Sequence, residues 1–318
     1  MSKTAGKLLC AACAGTAAVF GAGYLTFREV MYRDAKLFPL VAKMTLDSAA
    51  KKAPPAAKVP DEREEWFKRQ TLTEYTIEGS RGNKLHGYLL KADEPSDVYV
   101  FGSHGYRSRG RSEFRLMAKY HHDRGRNLFF VDHQSAGDSE GDYIGFGYYE
   151  YRDSLKWLDF MIATFGADIK IILHGVSMGS ATVMLMSGDS ALPENVRFTV
   201  ADCGYTSAQK EFEYVLKNAH VPAFPLLNTA DLFNSKINGY HFRDVDALES
   251  VSHSKVPILF IHGSTDTFVP TFMAKELYDA CPAYKQLLII DGAWHAESYP
   301  KGSSQYEAKV DEFAEMFL

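Results

Sequence analysis

Short apolar runs alternate with longer stretches of helical periodicity along most of the chain. Asp97–Ser103 and Asn127–Asp132 are apolar runs typical of buried strands, whereas Tyr149–Phe165 carries apolar residues at helical spacing. Further strands are predicted over Ile169–His174, Phe198–Asp202, Val256–His262 and Gln286–Ile290, and further helices over Ala181–Met186, Thr271–Ala280 and Gln305–Phe317. This alternation predicts an α/β fold with a mostly parallel central sheet and helices on both faces.

A hairpin precedes these units. Leu72–Glu78 and Lys84–Lys91 alternate in the manner of strands, and the turn residues 80–83 lie between them. The pair therefore predicts two antiparallel strands at the start of a globular domain that begins near Pro60.

The N-terminus has a different pattern. Leu8–Phe27 is an uncharged run of 20 residues, flanked by Lys3 and Lys7 before it and Arg28 after it, and about 20 apolar residues can cross a bilayer core. We expect residues 1–28 to be a single-pass membrane anchor and residues 29–60 a juxtamembrane segment and linker, followed by a globular domain over 61–318. A cleaved signal peptide with export of the protein, or a helix buried in the protein, are the alternatives.

Composition narrows the class of protein. The chain has 318 residues, 46% of them hydrophobic, with a net charge of −5. The apolar content excludes a disordered chain, and the mild acidity argues against nucleic acid as a partner. Of the four cysteines, Cys10 and Cys13 lie in the apolar run, and no second C-x-x-C pair supports a zinc site. We expect no metal and no cofactor.

One motif points to nucleophilic catalysis. The predicted strand over Ile169–His174 leads into Gly175-Val176-Ser177-Met178-Gly179, which is followed by a predicted helix. A serine on such a sharp strand-to-helix turn requires neighbours without side chains, here Gly175 and Gly179. The N–H groups of the helix N-terminus then face an oxyanion formed at Ser177. We predict that Ser177 is a nucleophile.

Candidates for the acid and the base of a triad follow the serine in the order Asp, then His. Asp266 lies in the loop after the predicted strand Val256–His262, and His295 lies in the loop after the next strand. Carboxyl ends of parallel strands share one edge of the sheet, so Asp266 and His295 are expected to join Ser177 there. Asp291 is the weaker competitor for the role of the acid.

The oxyanion donors are expected to be backbone amides. Met178 N–H follows the nucleophile directly, and Tyr106 N–H lies in the turn His104-Gly105-Tyr106 after an earlier central strand, although a neighbour of Tyr106 could supply this amide instead. Four arginines follow this turn, and they either bind an anionic substrate or form a solvated loop face. They are Arg107, Arg109, Arg111 and Arg115. No cysteine or carboxylate pattern completes a metal site with His121, His122 and His133, which are interpreted as surface or packing residues.

These motifs together resemble the α/β-hydrolase superfamily, in the branch of serine aminopeptidase-like and prolyl-oligopeptidase-like enzymes, and membrane-anchored α/β hydrolases of Firmicutes in particular. The matching stretches are residues 103–106, 139–143, 175–179, 201–207 and 262–270. The resemblance implies an α/β-hydrolase fold and the triad Ser177, Asp266 and His295. It also implies a small helical lid at about residues 205–255.

The expected activity is that of a serine hydrolase acting on a carboxylic ester, thioester or amide through an acyl-enzyme. The partner is then a small-molecule ester, acyl or peptide substrate. A serine peptidase, an acyltransferase of the same fold and a catalytically silent, membrane-attached binding module are the alternatives.

Overall fold

A single eight-stranded sheet organises the part of the chain that the structure describes. The computed structural model describes residues 3–36 and 61–318, and side chains from residue 17 onward. The strands are β1 (Thr73–Glu78), β2 (Lys84–Leu90), β3 (Val98–Ser103), β4 (Asn127–Asp132), β5 (Lys170–Val176), β6 (Val196–Asp202), β7 (Ile258–Gly263) and β8 (Lys285–Ile290). Their order in the sheet is β1-β2-β4-β3-β5-β6-β7-β8, and only the β1–β2 and β2–β4 pairs are antiparallel.

The helices connect these strands and cover both faces of the sheet. They are α1 (Lys3–Met31), α2 (Glu62–Lys68), α3 (Gly110–Phe114), α4 (Ala118–Asp123), α5 (Tyr148–Phe165), α6 (Met178–Ser187), α7 (Ala208–Asn218), α8 (Ala223–Asn238), α9 (Ala247–Ser252), α10 (Thr271–Ala280) and α11 (Ser298–Phe317), with a 3₁₀ turn at Phe242–Asp244. This is the α/β-hydrolase fold, as the sequence predicts.

The central strands are apolar because both of their faces are covered. Every residue of β4 is buried: Leu128 and Phe130 pack in one cluster with α3, α4 and α11, while Phe129 and Val131 pack in another with α5. Successive side chains of a strand point to opposite faces, so a strand covered on both faces is apolar throughout. The sheet therefore fixes where each strand ends and which loops meet there.

A separate apolar cluster lies beyond the carboxyl ends of the strands. It joins α1, α7 and α8 to the start of α6, and its buried members include Phe27, Met178, Leu227 and Phe242. This cluster surrounds the cavity described below.

The N-terminal helix differs from its prediction. Among the residues that the structure describes, no helix is both long and apolar enough to cross a membrane. The end of the predicted span packs against α8: a Cβ on Gly23 would lie 2.5 Å from Thr229 Cβ, and Phe27 is fully buried. The prediction of a membrane-spanning anchor over Leu8–Phe27 is thus not supported, because the apolar residues at the end of this run pack against another helix of the same chain. The predicted linker falls mainly on residues 37–60, outside the described residues.

Candidate active site

Ser177 lies on a sharp turn between β5 and α6. Its backbone has φ 57° and ψ −117°, and a positive φ is uncommon for a residue with a side chain. Two hydrogen bonds hold the turn: Ser177 N–H donates to Asp202 O at 2.8 Å, and Ala181 N–H donates to Ser177 O at 3.0 Å. The serine hydroxyl is therefore held at the carboxyl edge of the sheet by the backbone around it.

The two glycines of the motif allow this turn to close. A Cβ added to Gly175 would lie 2.2 Å from Gly179 O, and one added to Gly179 would lie 2.0 Å from Ser103 O. Neither position has room for a side chain. The turn is thus packed directly on itself and on the end of β3.

Asp266 and His295 meet Ser177 at this edge. Asp266 follows β7 and His295 follows β8, which are adjacent parallel strands. His295 Nδ1 lies 2.7 Å from Asp266 Oδ2, and His295 Nε2 lies 2.9 Å from Ser177 Oγ. Because an ionised carboxylate only accepts, Nδ1–H donates to Asp266, and Nε2 is left to accept from the serine hydroxyl.

Four donors surround the Asp266 carboxylate. Oδ1 accepts from Phe268 N–H at 2.9 Å and Val269 N–H at 3.0 Å, while Oδ2 also lies 3.2 Å from His262 Nε2. Burial by itself raises the pKa of Asp266, but hydrogen bonds from His262 and His295 outweigh it and lower the pKa below its usual value. Asp266 is consequently ionised at neutral pH.

The competing carboxylate, Asp291, has a different environment. It is exposed and accepts a hydrogen bond from Ser264 Oγ at 3.1 Å. The structure brings Asp266, not Asp291, into hydrogen-bond contact with His295.

The turn after β3 lies directly against Ser177. A Cβ on Gly105 would be 3.3 Å from Ser177 Cβ, and Gly105 N–H donates to Glu113 Oε2 at 3.2 Å. Tyr106 and Met178, the residues predicted to supply the oxyanion donors, both line the cavity at Ser177.

Two buried histidines support this turn, a role that the sequence did not indicate. His104 Nε2 accepts from His133 N–H at 3.0 Å, so its Nδ1–H donates to Gly105 O at 2.8 Å. His133 Nε2 lies 2.8 Å from Ser103 Oγ. Burial lowers the pKa of both imidazoles, which keeps them neutral. No cluster of metal-ligating side chains occurs within the described ranges.

Three of the four arginines after the turn make structural contacts. Arg107 donates to the main-chain carbonyls of Glu29, Tyr32 and Arg33 at 2.8–3.0 Å and so binds the end of α1. Arg111 pairs with Asp138 at 2.6 Å, and Arg115 pairs with Glu64 at 3.3 Å. These contacts give Arg107, Arg111 and Arg115 structural partners, and an anionic-substrate role has no support from them.

A nearly wholly apolar cavity of about 210 Å³ opens above Ser177. Its walls come from α1, α7, α8 and the loops after β6 and β7. The lining residues are Thr26, Phe27, Val30, Tyr106, Phe146, Ser177, Met178, Tyr205, Glu211, Phe212, Val215, Leu216, Val221, Leu226, Leu227, Ala230, Phe242, Phe268 and Val269. Glu211 is the one carboxylate among them, and sequence analysis missed it. A signal was present, since Glu211 shares the apolar face of α7 with Val215, four residues on.

Comparisons with known proteins find similarity to serine hydrolases. Residues 147–296, which contain Ser177, Asp266 and His295, match the family model described as serine hydrolase (FSH1). The uncharacterized protein YqkD of Bacillus subtilis is 29% identical over 78% of this chain and 81% of its own length.

Solved structures show the same fold. The esterase Pf2001 of Pyrococcus furiosus aligns with a TM-score of 0.63 at 21% identity, covering 83% of this chain and 99% of that one. An acylaminoacyl peptidase of Pyrococcus horikoshii aligns with a TM-score of 0.56 at 14% identity, covering 80% of this chain and 43% of that one. The chain is thus similar to serine hydrolases, and the resemblance to membrane-anchored relatives receives no support from these matches.

Proposed function

We propose that the protein is a serine hydrolase that cleaves carboxylic esters with an apolar acyl or alkyl portion. The observation that carries the proposal is the continuous hydrogen-bonded chain from Asp266 through His295 to Ser177, at 2.7 and 2.9 Å, next to an apolar cavity. Such a chain activates a serine hydroxyl and is recognised by geometry.

The chemistry proceeds in two halves. Ser177 Oγ attacks the ester carbonyl while its proton passes to His295 Nε2, and the imidazolium then gives that proton to the departing alcohol, which leaves an acyl-enzyme. Water repeats the sequence: it gives a proton to His295, attacks the acyl carbon and releases the acid, and Ser177 recovers its proton. Asp266 stays ionised throughout and stabilises the imidazolium.

Backbone amides stabilise the oxyanion in both halves. Met178 N–H is one donor, because the first N–H groups of a helix have no partner within the helix. Tyr106 N–H is the second proposed donor, because Tyr106 belongs to the turn after β3 and lines the cavity at Ser177. Each such donor is worth about 3 kcal/mol of transition-state stabilisation.

The walls of the cavity define the substrate class. Within residues 205–255, α7 and α8 act as the lid, and α1 completes it through Thr26, Phe27 and Val30. Aromatic and aliphatic walls favour an apolar chain over a polar peptide backbone. Esters of medium-chain acids or alcohols therefore fit this site better than peptides.

Labelling with a fluorophosphonate probe tests the proposal. We expect the wild-type protein to be labelled, Ser177→Ala not to be labelled, and His295→Ala to react at least about 10³-fold more slowly. Ser264→Ala, which alters an exposed serine, is the matched control and should label like the wild type.

Turnover of 4-nitrophenyl hexanoate and of an aminoacyl 4-nitroanilide then separates esterase from peptidase. Wild-type protein that is folded yet neither labelled nor active would contradict the proposal. Faster turnover of the anilide than of the ester would show that the protein is a peptidase and not an esterase.

A further inference from the structure

Glu211 is a buried carboxyl group in the wall of the cavity. It lies in the first turn of α7, is 4% exposed and lines the same cavity as Ser177. Its neighbours in that wall are apolar, among them Phe212, Val215 and Phe242.

Neither oxygen of this carboxyl has a hydrogen-bond partner among the described residues. The other buried carboxylates among the described residues all accept hydrogen bonds. They are Asp132, Glu150, Asp153, Asp202 and Asp266. Buried polar groups are normally hydrogen-bonded, so an exception at the nucleophile requires an explanation.

A structural role at the start of the helix does not explain it. The cap of α7 is Ser207, whose Oγ accepts from Lys210 N–H at 3.2 Å. Glu211 therefore lies past the cap, with both oxygens unpaired, where an apolar residue would pack better.

The surroundings favour the neutral acid. Burial raises the pKa of Glu211 well above its usual value, and the negative charge of Asp266 raises this pKa further. Tyr205, a titratable residue of the same cavity wall, uses its hydroxyl to donate to Phe146 O at 2.7 Å. Among the residues that the structure describes, no lysine, arginine or histidine lines the cavity. A protonated carboxyl offers one O–H donor and a carbonyl acceptor.

We propose that Glu211 determines specificity by exchanging hydrogen bonds with a hydroxyl group carried on the apolar portion of the ester substrate. This inference rests on the proposed function and names the substrate class of the same site. A hydroxyl both donates and accepts, and so satisfies a neutral carboxyl, whereas a plain alkyl chain leaves it unpaired. An ammonium group would instead require the ionised form, which the apolar wall and Asp266 disfavour.

The test compares matched esters in four proteins. The acyl series is the 4-nitrophenyl esters of hexanoic, 3-hydroxyhexanoic, 6-hydroxyhexanoic and 6-aminohexanoic acids; the alcohol series is hexyl and 6-hydroxyhexyl butyrate. The proteins are wild type, Glu211→Gln, Glu211→Leu and Glu213→Leu, the last altering an exposed residue of the same helix. The measured quantity is the ratio of kcat/KM between each hydroxylated ester and its parent.

We expect at least one hydroxylated ester to be preferred by the wild type by about tenfold or more. Glu211→Gln retains a donor and an acceptor and should keep that preference, whereas Glu211→Leu should reverse it and turn over the parent ester faster. Glu213→Leu should match the wild type. Thermal unfolding of each variant checks that it is folded.

Equal ratios in wild type, Glu211→Gln and Glu211→Leu, with hydrolysis intact, would overturn this inference alone. A preference for the 6-amino ester that Glu211→Gln abolishes would also overturn it, in favour of an amine-binding site. Folded wild-type protein that hydrolyses no ester and takes no fluorophosphonate would overturn the proposed function and this inference with it.

Discussion

The Asp266 carboxylate controls the orientation of His295. Two main-chain amides hold one of its oxygens, and His262 and His295 share the other. A carboxylate fixed in this way accepts from Nδ1–H and presents Nε2 of His295 to Ser177 in the unprotonated form. In the proposed reaction, the buried negative charge also stabilises the imidazolium that forms on His295.

Replacing Asp266 by asparagine should abolish this control. An amide cannot hold the correct tautomer of His295, so kcat for 4-nitrophenyl hexanoate is expected to fall by on the order of 10³- to 10⁴-fold. The matched control is Asp291→Asn, which makes the same change on the exposed loop and should stay within about twofold of wild type. Stopped-flow and steady-state assays measure kcat of both variants. Equal losses of kcat in Asp266→Asn and Asp291→Asn would show that Asp266 is not the acid of the triad.

Helix α1 is fastened to the body along one side and at its end. Gly23 lies against Thr229 of α8, and Tyr24 meets the ring of Phe233 edge to face with ring centroids 5.2 Å apart. At its end, Tyr106 Oη–H donates to Val30 O at 2.6 Å, next to the contacts of Arg107. Arg107 and Tyr106 belong to the turn at Ser177, so the position of α1 and the shape of the site depend on each other.

Substituting valine for Gly23 should loosen this helix. The new Cβ would lie 2.5 Å from Thr229 Cβ, and overpacking of this kind typically costs about 1–3 kcal/mol. Trypsin should then cleave faster after the exposed Arg33, and KM for the hexanoyl ester should rise as the wall of the cavity moves. Gly21→Val is the control on the same helix, because a Cβ there meets nothing within 4 Å. Similar cleavage rates in both variants would show that the contact with α8 does not hold α1.

Most elements could be predicted from the sequence because their patterns are local. The strand over Asn127–Asp132 was predicted with its observed bounds, and the helix predicted from Tyr149 begins at Tyr148. Apolar runs bounded by turns fix such limits. The partner of α1 could not be predicted, since a glycine and aromatic residues at helical spacing look the same whether they face lipid or another helix.

In the candidate site, too, some features could be predicted from the sequence and others could not. Ser177, Asp266 and His295 each follow a strand, and parallel neighbours bring strand ends together, so their meeting could be predicted from order alone. The position of Glu211 on the apolar face of α7 could have been noticed, but its proposed role could not be predicted, because that role depends on cavity walls contributed by Phe27 and Phe242, which lie far from it in sequence.

At the scale of the whole molecule, buried carboxyl groups couple the fold to pH. Glu150 is fully buried and accepts from Gly145 N–H at 2.6 Å and Gly147 N–H at 2.8 Å. Burial nevertheless raises its pKa from 4.5 to about 7. Between these two values the folded state keeps a proton that the unfolded state releases. The stability that Glu150 contributes is therefore fully present below about pH 4.5 and is lost as the pH rises through about 7.

Glu150→Gln should remove this pH dependence. The wild type is expected to lose about 2–3 kcal/mol between pH 5 and pH 8 relative to Glu150→Gln, whose amide does not ionise. Urea unfolding of both proteins at four pH values in this range gives the difference directly, and other titrating groups cancel from it. Glu213→Gln, an exposed change of the same kind, should run parallel to the wild type. A constant difference between wild type and Glu150→Gln would show that Glu150 is ionised throughout.

The place of α1 in the chain also affects how the protein is made. Its partner α8 is synthesised about 190 residues later, which is roughly 10–40 s at ordinary rates of translation. During that interval Phe27 and Met31, buried in the finished protein, leave the ribosome without the surface that covers them. His295 emerges later still. The nascent chain thus exposes an apolar face of α1 well before it contains all three residues of the proposed triad.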